Sequence, residues 1–305
     1  MRIGGRGTEA LARAASREPS AERRAPTVAS DGVKMLVSGG MRWSFGSLSA
    51  LAALFLISCS GGGGGDPPST KVLGPPVGSG NRIREVADPN ITGRPGPGAE
   101  VTVTGVTVVA VDTFDETKNG RSRGTIYVQD LGSGEPYSGI GLFSPAFVPG
   151  DLRVAAGDVL DLRGQYQENK NIGTAVFPDG QVLPQLSRPV AQFRYDFTSP
   201  APTVISVADL NDYAKGRRWI GMLVTVKNVT LDGRLTENGG RVTGAIMPRG
   251  SNPDDRNRPT VTNELYDLKT TDAAQNQTFA SITGIVTYFF NLHIAPRSAA
   301  DVVKQ

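Results

Sequence analysis

The chain has 305 residues, among them 32 Lys and Arg, 29 Asp and Glu, one Cys and one His. This length accommodates two ordinary domains. A single cysteine excludes an intrachain disulfide and a cysteine-based zinc site, and a single histidine leaves little for a His-rich metal site. The 38 Gly and 21 Pro favour an all-β protein with a flexible segment over a helical protein.

The formal net charge of +3 originates in the N-terminal region. Residues 1–58 hold eight Lys or Arg and four Asp or Glu. Subtracting these from 32 and 29 leaves 24 basic and 25 acidic residues after position 58, a net charge of −1. A chain cut before residue 59 therefore lacks the positive balance of a protein that holds phosphates mainly by charge.

Residues 1–40 show no hydrophobic periodicity, which predicts a disordered extension or a start codon placed too early. In the second case the true start is Met35 or Met41. The alternative is that residues 1–40 form a long N-terminal region of the signal peptide. Residues 41–58 have the secretory signal pattern, because Met41-Arg42-Trp43 precedes the apolar run LSALAALFLIS. This run is too short for a transmembrane helix, which needs about 20 apolar residues.

The run ends in Leu56-Ile57-Ser58-Cys59, which resembles a bacterial lipobox. The resemblance implies that Cys59 becomes the first mature residue and carries a diacylglycerol on its sulfur and a third acyl chain on its amine. Two or three acyl chains anchor a protein stably, at about 0.8 kcal/mol per buried CH₂. Ser60 implies, by similarity to enterobacterial sorting, the outer membrane of a Gram-negative bacterium. The alternative, a buried free cysteine, is disfavoured by the five glycines that begin at Gly61.

Residues 59–98 are rich in Gly, Pro and Ser, which predicts a disordered tether within which Ile83–Val86 can dock locally. From Glu100 the sequence EVTVTGVTVVAVDTF alternates and changes phase after Gly105, which predicts a bent strand with a bulge. The next predicted strands, the last of them weaker, are Thr125–Asp130, Ile140–Phe143, Val159–Tyr166 and Gln181–Leu186.

The second half of the chain repeats this plan at an offset of about 120 residues, which indicates duplicated domains. Met222, Val224 and Val226 alternate, the phase changes near Asn228, and a late strand is predicted over Ser281–Tyr288. Val207–Ala214 is the best candidate for a short helix.

Five strands in roughly 100 residues, with a long bent first strand, suit a small closed barrel better than an immunoglobulin sandwich, which has about seven strands. The predicted fold is therefore all-β, with two tandem OB-like (oligonucleotide/oligosaccharide-binding) barrels over 99–198 and 199–305.

Two phrases are similar to repeats that lie beside bacterial extracellular nuclease domains: Ile205–Leu231, and Ile282–Val302, which contains Pro-Arg-Ser-x-x-Asp. Gly124–Asp130 (GTIYVQD) matches the second strand of those repeats. The resemblance covers Glu100 to Val302 and implies a fold, whereas the nuclease domain itself is absent.

We find no hydrolase motif, Walker-type loop or zinc-protease motif, and we predict no catalytic residues, no metal and no cofactor. His293 lies in a predicted strand, where a surface or satisfied histidine is expected. The acidic groups Asp112, Asp115 and Glu116, and Asp254-Asp255, suit solvated loops, with loop calcium as the alternative.

Ligand binding on an exposed sheet face is the better hypothesis, because aromatic side chains stack on bases or sugar rings and Arg or Lys meets phosphates. The alternative for each residue is packing in the core, at the rim or at the domain junction. The ligand-binding candidates are Tyr127, Phe143, Tyr166, Arg217, Arg218, Trp219 and Tyr288, and more weakly Tyr137, Arg121 and Arg123.

These patterns predict a membrane-anchored envelope lipoprotein that is not an enzyme and acts as a binding or scaffolding module for nucleic acid, glycan or an envelope protein. The alternatives are a structural component that binds other proteins and an accessory subunit of an extracellular nuclease. Residues 203–305 carry 12 basic and 10 acidic residues, against 8 and 11 in residues 99–195, so the second half is favoured for any anion.

Overall fold

The computed structural model describes residues 78–120, 124–143, 154–251 and 258–305, which belong to one compact unit, Pro68–Gln305. No helix in these ranges is long and apolar enough to cross a membrane. Several predictions fall outside the described residues: the signal segment, Cys59, Arg121, Arg123 and Asp254-Asp255.

The described chain is mostly β-strand. The first seven strands are β1 (Glu100–Val111), β2 (Ile126–Asp130), β3 (Gly139–Phe143), β4 (Asp158–Asn169), β5 (Asn171–Ile172), β6 (Ala175–Val176) and β7 (Leu183–Asp196). The remaining strands are β8 (Thr203–Ile205), β9 (Leu223–Leu231), β10 (Thr236–Asn238), β11 (Arg241–Pro248), β12 (Thr260–Thr262), β13 (Thr278–Tyr288), β14 (Leu292–Ala295) and β15 (Val302–Lys304). The helices are α1 (Ile83–Ala87), α2 (Tyr213–Gly216) and four 3₁₀ turns at Val207–Leu210, Arg217–Trp219, Leu268–Thr271 and Ala299–Asp301.

Five strands close into a barrel in the order β1-β2-β3-β7-β4, and β5 and β6 form a separate hairpin. All neighbours in the barrel are antiparallel except β3 and β7, which run parallel. The predicted bend in β1 is present: Gly105 has φ +66°, and the register with β4 shifts between Val103 and Val106. Glycine adopts this backbone conformation without the steric cost of a Cβ. The predictions of an all-β fold and of a closed barrel are confirmed.

The other strands, β8 to β15, form an eight-stranded sheet, which we call the second sheet. Its order is β10-β11-β12-β14-β13-β9-β8, with β15 beside β13, and β11 also pairs with β9. β12 and β14 run parallel. The predicted phase change in β9 falls at Asn228, which has φ +51°.

The single helix predicted over Val207–Ala214 is wrong. The segment forms a 3₁₀ turn and then α2, with a break at Asn211-Asp212. Ser206 Oγ accepts a hydrogen bond from the Ala208 amide, and Asp212 Oδ1 accepts one from the Ala214 amide. Each short turn thus has its own N-cap, because Ser and Asp compete with continued helix by bonding nearby backbone amides.

The tether predicted over residues 59–98 is wrong in its C-terminal part, because the chain from Gly78 onward packs on the barrel, whereas the local docking expected of Ile83–Val86 is present. α1 buries Ile83 and Val86 in the barrel core, and Asp130 Oδ1 accepts the Ile83 amide at 2.7 Å. Burial raises the pKa of Asp130 to about 6, although the hydrogen bonds from the Ile83 and Arg84 amides oppose the shift. Apolar residues at i and i+3 on one face of α1 explain why this piece of a polar segment docks.

Candidate functional site

The outward face of β2 and β3 is the expected ligand face of a barrel of this kind, and here it packs against the second sheet. Tyr127 on β2 joins an apolar cluster with residues of both sheets, and its hydroxyl donates to Glu264 Oε1 at 2.6 Å. The other members of the cluster are Val109, Ala110, Leu223, Leu265, Ile285 and Ala295. The Leu223 amide of β9 also donates to Gln129 Oε1 at 3.1 Å, so a second outward side chain of β2 is engaged.

Two glycines allow the backbones of the barrel and the second sheet to touch. A Cβ placed on Gly139 of β3 would lie 2.6 Å from the carbonyl carbon and oxygen of Gly221. Gly221 itself has φ +84°, and its own Cβ would lie 2.6 Å from the Ile140 amide nitrogen. Nearby, the Tyr137 amide donates to the Arg218 carbonyl at 2.7 Å. Around Tyr127, Gln129 and Gly139 the β2–β3 face is therefore covered by the second sheet.

Glu168 on β4 links three parts of the chain. Its Oε1 accepts hydrogen bonds from Arg94 Nη2 at 3.0 Å, from Arg217 Nη2 at 2.6 Å and from the Tyr166 hydroxyl at 2.9 Å. Burial raises the pKa of Glu168, but the Tyr166 hydroxyl and the two guanidinium groups outweigh it and lower the pKa. Tyr166 and Arg217, both predicted ligand contacts, are thus held at the junction.

Trp219 and Tyr288 pack in the core of the second sheet. The Tyr288 ring lies 4.9 Å from the ring centroids of Phe177 and Tyr213, and its hydroxyl donates to Gln181. Phe177 follows β6, so a loop of the barrel reaches into the second core. These contacts engage Tyr288 within the protein.

Arg218 and Phe143 complete the predicted set. Arg218 pairs with Asp209 at 3.2 Å and lies over the Trp219 ring at 5.1 Å. Phe143 is exposed at the end of β3. The structure thus brings most of the predicted residues to the junction between the two sheets and does not assemble them on one open face.

An open face exists on the second sheet, where β11, β12 and β14 lie side by side. Ala245 pairs with Thr260 and Thr260 pairs with His293, so the three half-exposed side chains form a row across the strands. Thr243 and Met247 extend this row along β11. We call these five residues the open face.

The turn after β13 borders the open face with two adjacent exposed aromatics, Phe289 and Phe290. Arg241 lies over the Phe289 ring at 5.7 Å and pairs with Glu116 Oε1 at 3.3 Å. Phe290 has φ +59°, a strained conformation for a bulky residue, and such strain concentrates at functional sites. This pair is not among the residues predicted to bind a ligand, although two adjacent aromatics between alternating strands place at least one ring outside the core.

His293 is held by the surrounding strands. Its Nδ1 contacts Thr260 Oγ1, and its Nε2 lies 3.2 Å from the Phe289 carbonyl. Burial lowers the pKa of His293, although the Phe289 carbonyl and Glu264 oppose the shift. The ring is therefore neutral at neutral pH, and both of its nitrogens are engaged within the protein.

The closing phrase Pro296-Arg297-Ser298-x-x-Asp301 has a structural explanation. Arg297 makes a bidentate pair with Asp301, at 3.0 Å from Nε and from Nη2, and its Nη1 donates to the Val109 carbonyl at 3.3 Å. A cleft of about 360 Å³ lies beside Arg297 between the two sheets. Arg297 is the one charged residue among the described residues that line the cleft, and these contacts already engage its guanidinium.

Asp112 is a buried carboxyl at the junction. Its side chain is 5% exposed, and Oδ1 has no hydrogen-bond partner among the described residues. Burial, with smaller effects from Glu264 and Glu116, raises its pKa to about 8. Within the described ranges no group of three or more His, Cys, Asp or Glu residues is placed to hold a metal ion. With a pKa of about 8, the Asp112 carboxyl group is protonated at neutral pH.

Asp112→Asn is expected to stabilise the protein at alkaline pH and to have little effect in acid. The folded state keeps the Asp112 proton up to pH about 8, whereas the ordinary pKa is 3.8, so stability falls as the pH rises through this window. We expect the variant to gain at least about 1 kcal/mol at alkaline pH. Urea unfolding of both proteins across the pH range checks this, with the exposed Asp179→Asn as control. Parallel stability curves for the native chain and Asp112→Asn would contradict the assignment.

No protein-family profile matches this chain, and no curated protein is significantly similar to it.

Proposed function

We propose that this protein is a non-catalytic binding module of the cell envelope, anchored by acyl groups on Cys59, that binds its ligand on the open face of the second sheet. The observation that carries the proposal is the difference between the two sheets. Tyr127 and Gln129 on the β2–β3 face of the barrel are covered. In the second sheet, by contrast, Thr243, Ala245 and Met247 of β11 and Thr260 of β12 keep half-exposed outward side chains.

Both sheets are proposed to be OB-like barrels. The barrel order β1-β2-β3-β7-β4 has its counterpart in the second sheet, where β9 pairs with β11, β11 with β12, β12 with β14, β14 with β13 and β13 with β9. The parallel pair β3–β7 corresponds to β12–β14. In OB-like barrels the second and third strands and the flanking loops carry the ligand, which supports the open face as the binding surface.

A neutral glycan is the ligand class that the open face favours. Its outward side chains are Ala, Met, two Thr and a neutral His, so none of them carries a charge. Three cations on or beside β11 and β12 are committed to carboxylates: Arg241 to Glu116, Arg258 to Asp232 and Lys269 to Glu237. Arg249, directly after β11, instead donates to Gln305 Oε1 at 2.8 Å. A polyphosphate would have to break such pairs, whereas a sugar ring can stack on Phe289 and hydrogen-bond to threonine hydroxyls.

Ala245→Trp is expected to abolish ligand binding without unfolding the protein. Ala245 is central in the open face and half-exposed, so a large outward side chain obstructs the face and leaves the core unchanged. Isothermal titration of the mature chain with chitohexaose, and with a short single-stranded DNA at low and high salt, provides the measurement. Ala175→Trp on β6, also half-exposed, is the matched control.

We expect chitohexaose to bind the native chain and the control at least about tenfold more tightly than Ala245→Trp, which corresponds to about 1.4 kcal/mol. DNA binding that weakens steeply with salt would show that the ligand class is a polyphosphate and not a neutral glycan. If neither chitohexaose nor DNA binds, or if the protein hydrolyses one of them, the proposed function is wrong.

A further inference from the structure

The turn between β13 and β14 holds an aromatic ring in a backbone conformation that does not favour it. Phe290 has φ +59°, and a bulky residue adopts this left-handed conformation only at a steric cost. Asn228, Asp272 and Asn276, which also have positive φ, are of the residue types that adopt it more readily. The turn therefore carries a ring at position 290 where Asn or Asp would fit with less strain.

The Phe290 ring is not what holds the turn. The Phe289 amide donates to the Asn291 carbonyl at 3.0 Å, and Asn291 Oδ1 accepts the Leu292 amide at 2.9 Å. Asn291 Nδ2 also donates to the Arg258 carbonyl at 2.5 Å, which ties the turn to the chain before β12. These bonds fix the backbone without the Phe290 side chain. Strain that the surrounding structure maintains in this way is a feature of functional sites.

The exposed ring of Phe290 is positioned by two other rings. Its centroid lies 5.0 Å from that of Phe289 and 5.4 Å from that of Phe177, at interplanar angles of 79° and 81°. Neither of these two neighbours lies flat against it, and the side chain remains 46% exposed. Phe177 is itself buried and lies 4.9 Å from the Tyr288 ring. The barrel thus supplies a buried support for an exposed ring of the second sheet.

The Phe290 ring lies beyond the margin of the open face. Phe289 stands between the two, because its carbonyl oxygen lies 3.2 Å from His293 Nε2 and its ring contacts that of Phe290. The open face itself crosses three strands, a width of about 10 Å. A ligand that covers the open face and also reaches Phe290 is therefore longer than one sugar ring.

The surroundings of the ring favour the apolar face of a sugar. The C–H groups on one face of a pyranose can meet the negative face of an aromatic ring. A nucleobase also stacks on such a ring, but the phosphates that accompany it need cations. Arg241, which lies over the neighbouring Phe289 ring at 5.7 Å, is paired with Glu116 at 3.3 Å.

We propose that the Phe290 ring is a second sugar-binding subsite, which extends the ligand site from the open face around the β13–β14 turn. This inference rests on the proposed function and deepens it, because it makes the ligand an oligosaccharide that spans both places. Phe290 contacts the ligand directly, and Phe177 positions its ring from the barrel.

The test compares variants of the mature chain by isothermal titration with chitohexaose. Phe290→Asn removes the ring and suits the backbone, so we expect at least about fivefold weaker binding with an unchanged or higher urea unfolding midpoint. Phe290→Tyr keeps the ring face and should bind within about twofold of the native chain. Phe143→Asn is the matched control, because Phe143 is 50% exposed at the end of β3, and it should bind as the native chain does.

Native-like binding by Phe290→Asn would overturn the subsite, whereas loss of binding in Ala245→Trp would still support the proposed function. Equal losses in Phe290→Asn and Phe290→Tyr, or a lower unfolding midpoint for Phe290→Asn, would assign the ring to packing and would also overturn it. The same holds for a loss in Phe143→Asn that matches the loss in Phe290→Asn. If the native chain does not bind chitohexaose, the proposed glycan ligand is wrong and the subsite is wrong with it.

Discussion

Gly139→Ala is expected to destabilise the protein by about 2–4 kcal/mol, which is an unusually large effect for the addition of one methyl group. The new Cβ would lie 2.6 Å from the carbonyl carbon and oxygen of Gly221 and from Met222 Cγ. Two of these contacts are backbone atoms that cannot rotate away, so the barrel and the second sheet must separate locally. The measurement is urea unfolding at neutral pH, followed by calorimetry.

The matched control is Gly141→Ala, two residues along the same strand. Its Cβ would have its nearest contact at 3.5 Å, with the Tyr127 ring, which is an ordinary van der Waals distance. We expect a change of less than about 1 kcal/mol. If both alanines have the same effect, the destabilisation reflects strand β3 as a whole, and the close approach of the two sheets at Gly139 does not limit stability.

Glu168→Gln is expected to destabilise the protein by about 2–3 kcal/mol at neutral pH, because it leaves Arg94 and Arg217 partly buried without a countercharge. The pKa of Glu168 is lowered in the folded state, so its contribution is present above the ordinary pKa and is lost as the pH falls through the lowered value. The difference between native and variant should therefore shrink in acid. Chemical unfolding at neutral pH and at pH about 3 checks both statements.

Glu100→Gln provides the comparison, because Glu100 pairs with Arg163 at 2.8 Å with both side chains more than half exposed. A pair of this kind contributes between 0 and about 1 kcal/mol. Equal losses for the two variants would mean that Glu168 acts as a surface charge, and the junction would then depend on its apolar contacts alone.

Strand patterns gave reliable local predictions. The β-branched alternation from Glu100, the phase change at Gly105 and the second change near Asn228 all have counterparts in the structure, at φ +66° for Gly105 and +51° for Asn228. The weak strand at Gln181–Leu186 proved much longer, extending to Asp196. Its C-terminal half, with Arg188, Pro189 and a register shift, lacks the simple alternation that sequence analysis uses.

The candidate site was harder to predict. Alternation in TIYVQD separates Tyr127 and Gln129 from the core-facing Ile126 and Val128, but it does not say whether solvent or protein covers the outward side. The second sheet covers it. A contact at the domain junction was the alternative to ligand binding for Arg217 and Trp219. In the structure Arg217 pairs with Glu168 at the junction, and Trp219 packs in the core of the second sheet.

The sequence by itself determined the all-β class, the positions of most strands and the bend in the first, because each depends on side-chain period and on glycine or asparagine within a few residues. Only the tertiary structure decided which face remains open, that α1 docks into the barrel core, and that Glu168 joins Arg94 to Arg217. These features depend on contacts between residues far apart in sequence, and a local pattern specifies which side of a strand is apolar without specifying what lies against the other side.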